Sequence, residues 1–357
     1  MAFSNGESVD ELARHLGKSW AAIQAARNNA DTQRSLIGSI LHDNRLVPSD
    51  TSFVVFGSLA RGEWTIGSDV DWTLLVDGQA DPNHWKISHA TAKCFDDANL
   101  NAPGPTAIFG NLGFSHDIVH QIGGESDTNR NTTQRILLLL ESRPIGNSDV
   151  WERVVMNVLN RYLDSDISLL SRSGQLYKVP RFLLNDIVRY WRTICVDYAN
   201  KHRQRQGDKW ALRNAKLRLS RKLIFASGML ICFNCYLKPP PGLQNLFDIP
   251  DHLGPLLSYL RDQVLLTPLD ILADAVRSFA RPETAAQIFD AYDRFLTLMN
   301  DSEFRKHLGA LKLSDANSDP CFNEIREISN RFQDGLTRLF FDDDKKLAEL
   351  TRKYGIF

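Results

Sequence analysis

Gly57-Ser58 follows a short apolar run, Ser52 to Phe56, and after ten intervening residues stands Asp69-Val70-Asp71. Side chains alternate between faces along a strand, so aspartates at i and i+2 share one face. Carboxylates that close repel each other unless a cation lies between them, and their hard oxygen donors suit Mg²⁺. A glycine-serine turn offers backbone N–H groups and a hydroxyl to a phosphate chain. Together these residues read as nucleotide chemistry. The bland alternative is that the acids solvate a strand edge, but aspartate is depleted in strands unless something fixes it there.

The elements around this run follow from periodicity. Ser52 to Phe56 and Val70 to Val76 read as strands, the second closed by Asp77-Gly78. Residues 8 to 44 read as helix, opened by Ser8 with Glu11 and broken near Asn28 to Asp31. Asp81-Pro82 opens a helix through Ala98, and Phe114 to Ile122 reads as either a strand or a short helix. From about Asn131 the pattern is helical, with later helices at 252–264, 268–278, 283–299 and 322–352. The expected fold is α+β: a small mixed-sheet core with N-terminal helices over 1–147, then a mostly α-helical domain over 148–357.

Composition narrows the class. With 43% hydrophobic and 24% charged residues in 357, the chain has the makeup of an ordinary globular protein. A net charge of −1 leaves any nucleic-acid or phosphate affinity to local patches. Five cysteines in so long a chain argue against a disulfide framework, and Cys232-x-x-Cys235 lacks a second pair at zinc-site spacing. Met1 to Asn5 does not begin a leader pattern, and the best apolar stretch, Leu223 to Leu237, is too short to span a bilayer. A cytoplasmic protein with no membrane partner is expected.

Gly57-Ser58 through Asp69-Val70-Asp71, with Phe56 before the glycine and Trp72 after the second aspartate, resembles the signature of the DNA polymerase β-like nucleotidyltransferase superfamily. The resemblance implies a Mg²⁺ site, with two ions, at Asp69 and Asp71, and a nucleoside triphosphate as substrate. Gly57 and Ser58 would hold its phosphates, with Arg61 neutralising charge. It also implies a third carboxylate on a later strand. Asp117 is the best match, ahead of Glu125 and Asp127, although Ser115 and Asp117 equally suit the first turn of a helix. Leu139-Leu140-Glu141-Ser142-Arg143 is similar, more weakly, to the stretch after the core in PII-uridylyltransferase-type domains.

Lys201 to Lys222 holds nine Lys or Arg against one acid, Asp208. A solvated face usually mixes signs, and this one does not. The superfamily resemblance implies a helical domain closing over the nucleotide, with Lys216, Arg221 and Lys222 as its cations. Alternatively the basic run holds an oligonucleotide product or other nucleic acid, with Trp210 as a stacking candidate. The expected activity is transfer of a nucleoside monophosphate to a hydroxyl, with release of pyrophosphate. The acceptor is a protein, a small molecule or a growing oligonucleotide signal, the last suggesting an antiphage role. The rival is a nucleotide-binding regulatory module whose catalysis has lapsed.

Overall fold

A computed structural model describes residues 6–104, 108–165, 179–204, 208–238 and 253–356. Met1 to Asn5, Pro105 in the turn cluster and Arg205 in the basic run lie outside the described residues. The chain forms two compact units: Ala26–Leu170, and Met1–Ala25 with Ser171–Phe357.

The unit Ala26–Leu170 is built on β1 (Thr51–Phe56), β2 (Trp72–Val76), β3 (Asn111–Phe114) and β4 (Ser142–Ile145). They form one mixed sheet in the order β3-β2-β1-β4. β1 lies antiparallel to both β2 and β4, whereas β3 runs parallel to β2. A parallel pair needs a crossover, and α4 (Pro82–Asp97) supplies it, started by Asp81, whose carboxylate accepts the Asn83 N–H at 2.7 Å. Every residue of β1 is buried, as its apolar run requires. Phe53 and Val55 face a core containing Ile37, Leu41, Val70, Trp72, Leu74 and Phe95. Phe53 stacks on Trp72 at 5.4 Å and meets the edge of Phe95 at 5.7 Å. The opposite face carries Val54, Phe56, Thr73 and Leu75 against Ile118 and Leu138.

Two sequence expectations change here. Helix α1 (Glu7–Leu16) ends at Gly17, which is left-handed at φ +62°, and α2 (Ala21–Asp43) then runs unbroken. The break therefore falls at 17–20 rather than at 28–31, where Ala30 is fully buried and holds the helix to the core. The segment 114–122 resolves into the end of β3 followed by α5 (Ser115–Val119).

In the other unit Gly6, Trp20 and Ile23 are tied down by carboxylates far along the sequence. Asp270 accepts the Gly6 N–H at 3.0 Å, Asp290 the Trp20 indole at 2.9 Å and Asp293 the Ile23 N–H at 3.0 Å. Helix Lys222–Leu237 is buried almost all round, flanked by the helices Arg181–Gln204 and Pro268–Phe279. The single helix expected over 322–352 is instead Pro320–Arg338, a π-helical turn Leu339–Asp343, and Lys345–Leu350. Asp344 is extended, and its carboxylate caps the last of these at the Leu347 N–H, 2.8 Å away. No helix of the described residues is long and apolar enough to cross a membrane. The whole is an α+β fold, a small mixed sheet followed by a helical remainder.

Candidate active site

The site begins where β1 stops. Phe56 is still extended, and Gly57 then turns at φ +65° into the short helix α3 (Gly57–Arg61). A side chain is disfavoured at that φ. A Cβ on residue 57 would also lie 2.9 Å from Asp71 Oδ2, so the carboxylate or the turn would have to shift. Ser58 is half-buried beside it. The far end of α3 is held by its carbonyls. Glu63 N–H donates to Ser58 O at 2.8 Å, Arg34 to Leu59 O at 2.5 Å and Arg143 to Ala60 O at 3.0 Å.

Asp69 and Asp71 stand in the lead-in to β2. The Val70 N–H donates to Asn101 O at 2.9 Å, and Asp71 O accepts the Phe56 N–H at 2.8 Å, one step beyond the last ladder pair, Val55↔Trp72. Regular β2 begins only at Trp72, the ladder partner of Val55. Val70 and Trp72 are each 1% exposed in the core, so the aspartates between and before them take the other face. Asp69 is exposed and Asp71 half-buried. Two carboxylates of that kind, one pressed on a glycine turn, are a hard-oxygen donor set that fits a divalent cation.

Arg61, expected to neutralise phosphate charge, is placed among carboxylates. It is 6% exposed, its Nε donates to Glu63 Oε2 at 2.9 Å, and it also pairs with the buried Glu141. Its charge is thus committed to two carboxylates rather than to a phosphate. The Leu-Leu-Glu-Ser-Arg run gains a physical role from the same contacts. Glu141 holds Arg61 and Arg143 holds Ala60, so both charged residues of the run brace the glycine-serine helix. Replacing Arg61 with Met is expected to cost about 3–5 kcal/mol, since it strands buried carboxylates without a counter-charge. Urea unfolding of the full chain measures it, and a loss under about 1 kcal/mol would contradict the assignment.

Asp117 is not brought to the other two acids. It is exposed on α5, where its Oδ1 accepts from Gln121 at 3.4 Å. α5 follows Phe114, the partner of Val76, whereas Asp71 precedes β2 at its opposite end. The five residues of β2 separate the two ends by about 17 Å at about 3.3 Å per residue. Asp127 is bound in both oxygens by the fully buried Arg135, at 3.1 and 3.0 Å, and Glu125 is exposed in a loop. The β3 residue level with Thr73 is Asn111, and no Asp or Glu occurs between Asp97 and Asp117. Asn111 is the polar residue that sequence reading missed. Gly113 lets this strand pack closely on β2, since a Cβ there would meet Thr73 Cγ2 at 2.7 Å.

At the opposite end of β2, Asp77 accepts from Ser115 Oγ at 2.6 Å and Arg153 Nε at 2.5 Å. Burial pushes the Asp77 carboxyl up, but these hydrogen bonds and the Arg153 charge outweigh it and leave it below its ordinary 3.8. A folded value under the unfolded one stabilises the protein above that pH and is lost as pH falls through the folded value. Asp77→Asn is therefore expected to flatten the acid limb of Tm against pH below 3.8, read by circular dichroism. An unchanged acid limb would refute the linkage.

Lys216, Arg221 and Lys222 belong to the other unit. Lys216 and Arg221 are half-buried, on the helix Trp210–Lys216 and the π-helical turn Leu217–Arg221. Lys222 Nζ donates to Gln333 Oε1 at 2.5 Å and lines a cavity. The guanidinium nitrogens of Arg213 are buried. The basic run is therefore not one solvated stripe: part of its charge turns inward. Trp210 is 5% exposed, meets Phe322 at 4.7 Å and donates to Leu311 O at 2.6 Å, which makes it core rather than a base-stacking platform. Burial pushes the Cys235 thiol up to about 12, as expected of a packing residue.

Residues 40–95 match the family model of the nucleotidyltransferase domain. That span contains β1, the Gly57 turn, both aspartates and β2. The chain thus carries a nucleotidyltransferase domain and is a transferase; such domains act on a nucleoside triphosphate with a divalent metal. No curated protein matches the chain.

Proposed function

We propose that the protein transfers a nucleoside monophosphate from a nucleoside triphosphate to a hydroxyl acceptor, releasing pyrophosphate, with Mg²⁺ at Asp69 and Asp71. The observation that carries this reading is the approach of Asp71 Oδ2 to the Gly57 turn. It sets a metal-binding acid beside the backbone that would take the phosphates. The ion supplies charge neutralisation on the triphosphate and lowers the pKa of an oxygen bound to it. The Gly57 backbone and the Ser58 hydroxyl orient the phosphate chain, and the braces from Arg34, Arg143 and Glu141 keep that turn rigid.

Mg²⁺ is commonly held by one or two carboxylates plus substrate phosphates, so the two acids suit a single ion carried by the nucleotide. A second ion would need a third carboxylate, and Asn111 at that end of β3 is neutral. We therefore expect one Mn²⁺ per chain in the presence of a non-hydrolysable triphosphate, measured by titration with the paramagnetic ion. Two tight ions would contradict this. The same observation favours one second reading, a module that binds nucleotide without turning it over. Labelled triphosphates and Mg²⁺ without added acceptor decide between outcomes. Nucleotide oligomers indicate a polymerised signal of antiphage type, labelled protein indicates modification, and binding without pyrophosphate release supports the module. A cytoplasmic location, with its triphosphate pool, belongs to the same reading.

A further inference from the structure

The unit that contains Ser171–Phe357 holds a cavity of about 270 Å³. Its walls are apolar: Trp191 and Phe225, stacked at 5.2 Å, with Met229, Leu336 and Phe340. Lys222 is the cation of this lining, and Gln333 and Thr337 stand beside it. Two of the three π-helical turns among the described residues line it, and the third ends one residue before a lining residue. Lys222 directly follows Leu217–Arg221, Phe340 and Phe341 come from Leu339–Asp343, and Thr351 and Gly355 come from Thr351–Ile356. Such turns are rare and frequent at functional sites, because widening a helix re-aims its side chains at a cost.

The charge at this cavity is unbalanced. Among the described residues Lys222 bonds the neutral Gln333, and nearby Arg218 bonds the neutral Asn330 at 3.4 Å. Neither has a carboxylate partner among the described residues. A desolvated cation without a counter-ion is costly. Burial, with the Arg218 charge, pushes the Lys222 ammonium down to about 8. An anion with an apolar body satisfies both features at once, filling the aromatic walls and pairing the ammonium. One lining cation matches a monoanion better than a dianion. We propose that this cavity binds a small amphiphilic carboxylate, its apolar body between Trp191, Met229 and Phe340 and its carboxylate on Lys222.

The test uses the full chain with decanoate and its neutral counterpart decan-1-ol, by isothermal titration calorimetry. Decanoate is expected to bind with a stoichiometry of one and to exceed decanol in affinity by at least about tenfold, the scale of a charge-assisted hydrogen bond. Lys222→Met is expected to erase that preference while decanol affinity is kept. Thr337→Trp, at an exposed position on the mouth, is expected to abolish both. Equal affinities for the two probes, decanoate binding unchanged in Lys222→Met, or binding untouched by Thr337→Trp would each overturn the proposal. Should Lys222→Met fail to fold, the decanoate–decanol comparison in wild type and in Thr337→Trp still decides it.

Discussion

Replacing Asp71 with Asn, or Asp69 with Ala, is expected to lower pyrophosphate release at least a hundredfold while the protein stays folded. Metal-borne charge stabilisation is worth several kcal/mol at the transition state, and each ~1.4 kcal/mol is tenfold in rate. With two carboxylates at the site, losing one leaves the nucleotide's ion half its protein ligands. Stability is expected to change little. Asp69 is exposed, and removing one of two neighbouring like charges relieves repulsion. The checks are steady-state pyrophosphate release over a Mg²⁺ series, and thermal melts of each variant. Weak turnover that recovers at high Mg²⁺ would mark the lost group as a ligand. Undiminished turnover in both variants would remove these residues from the mechanism and with them the proposed function.

Gly57→Ala tests the turn independently of the acids. At φ +65° an L-residue costs about 1–2 kcal/mol, and the new methyl would sit 2.9 Å from Asp71 Oδ2. That contact cannot persist, so either the turn or the carboxylate moves. A displacement of about 1 Å at a reacting site can cost a hundredfold in rate. The expected result is a modest loss of stability with a loss of activity far larger than the unfolded fraction explains. Gly17→Ala is the matched control. Its φ is +62° and a Cβ there meets nothing within 4 Å, so a similar stability loss is expected with activity intact. Equal, small activity losses in both variants would show that Gly57 serves the backbone alone.

The brace around α3 explains why so short a helix is reliable. Five residues cannot hold a helix by their own hydrogen bonds, since nucleation is costly. Its carbonyls are instead taken by Glu63 N–H, Arg34 and Arg143, and its last side chain by Glu63 and Glu141. The position of the Gly57-Ser58 turn therefore depends on residues up to eighty-three positions away in the chain.

The sequence by itself determined the two strands, the glycine-serine turn and the paired aspartates, because these rest on local rules. Alternation puts Val70 and Trp72 inward and the acids on the other face, and only glycine takes the φ of residue 57 without strain. Tertiary structure alone decided what joins them. Arg61 reads as a phosphate ligand until β4's approach brings Glu141 onto it. Asp117 reads as a third acid until the parallel register of β2 and β3 sets it at the far end of the sheet and puts Asn111 near the site. Lys222 reads as a cation that closes over the nucleotide, until the fold sets its Nζ on Gln333 of the helix Pro320–Arg338, at the wall of an apolar cavity. In each case the deciding partner lies on another element, and no spacing within one segment encodes a register or a packing contact between two.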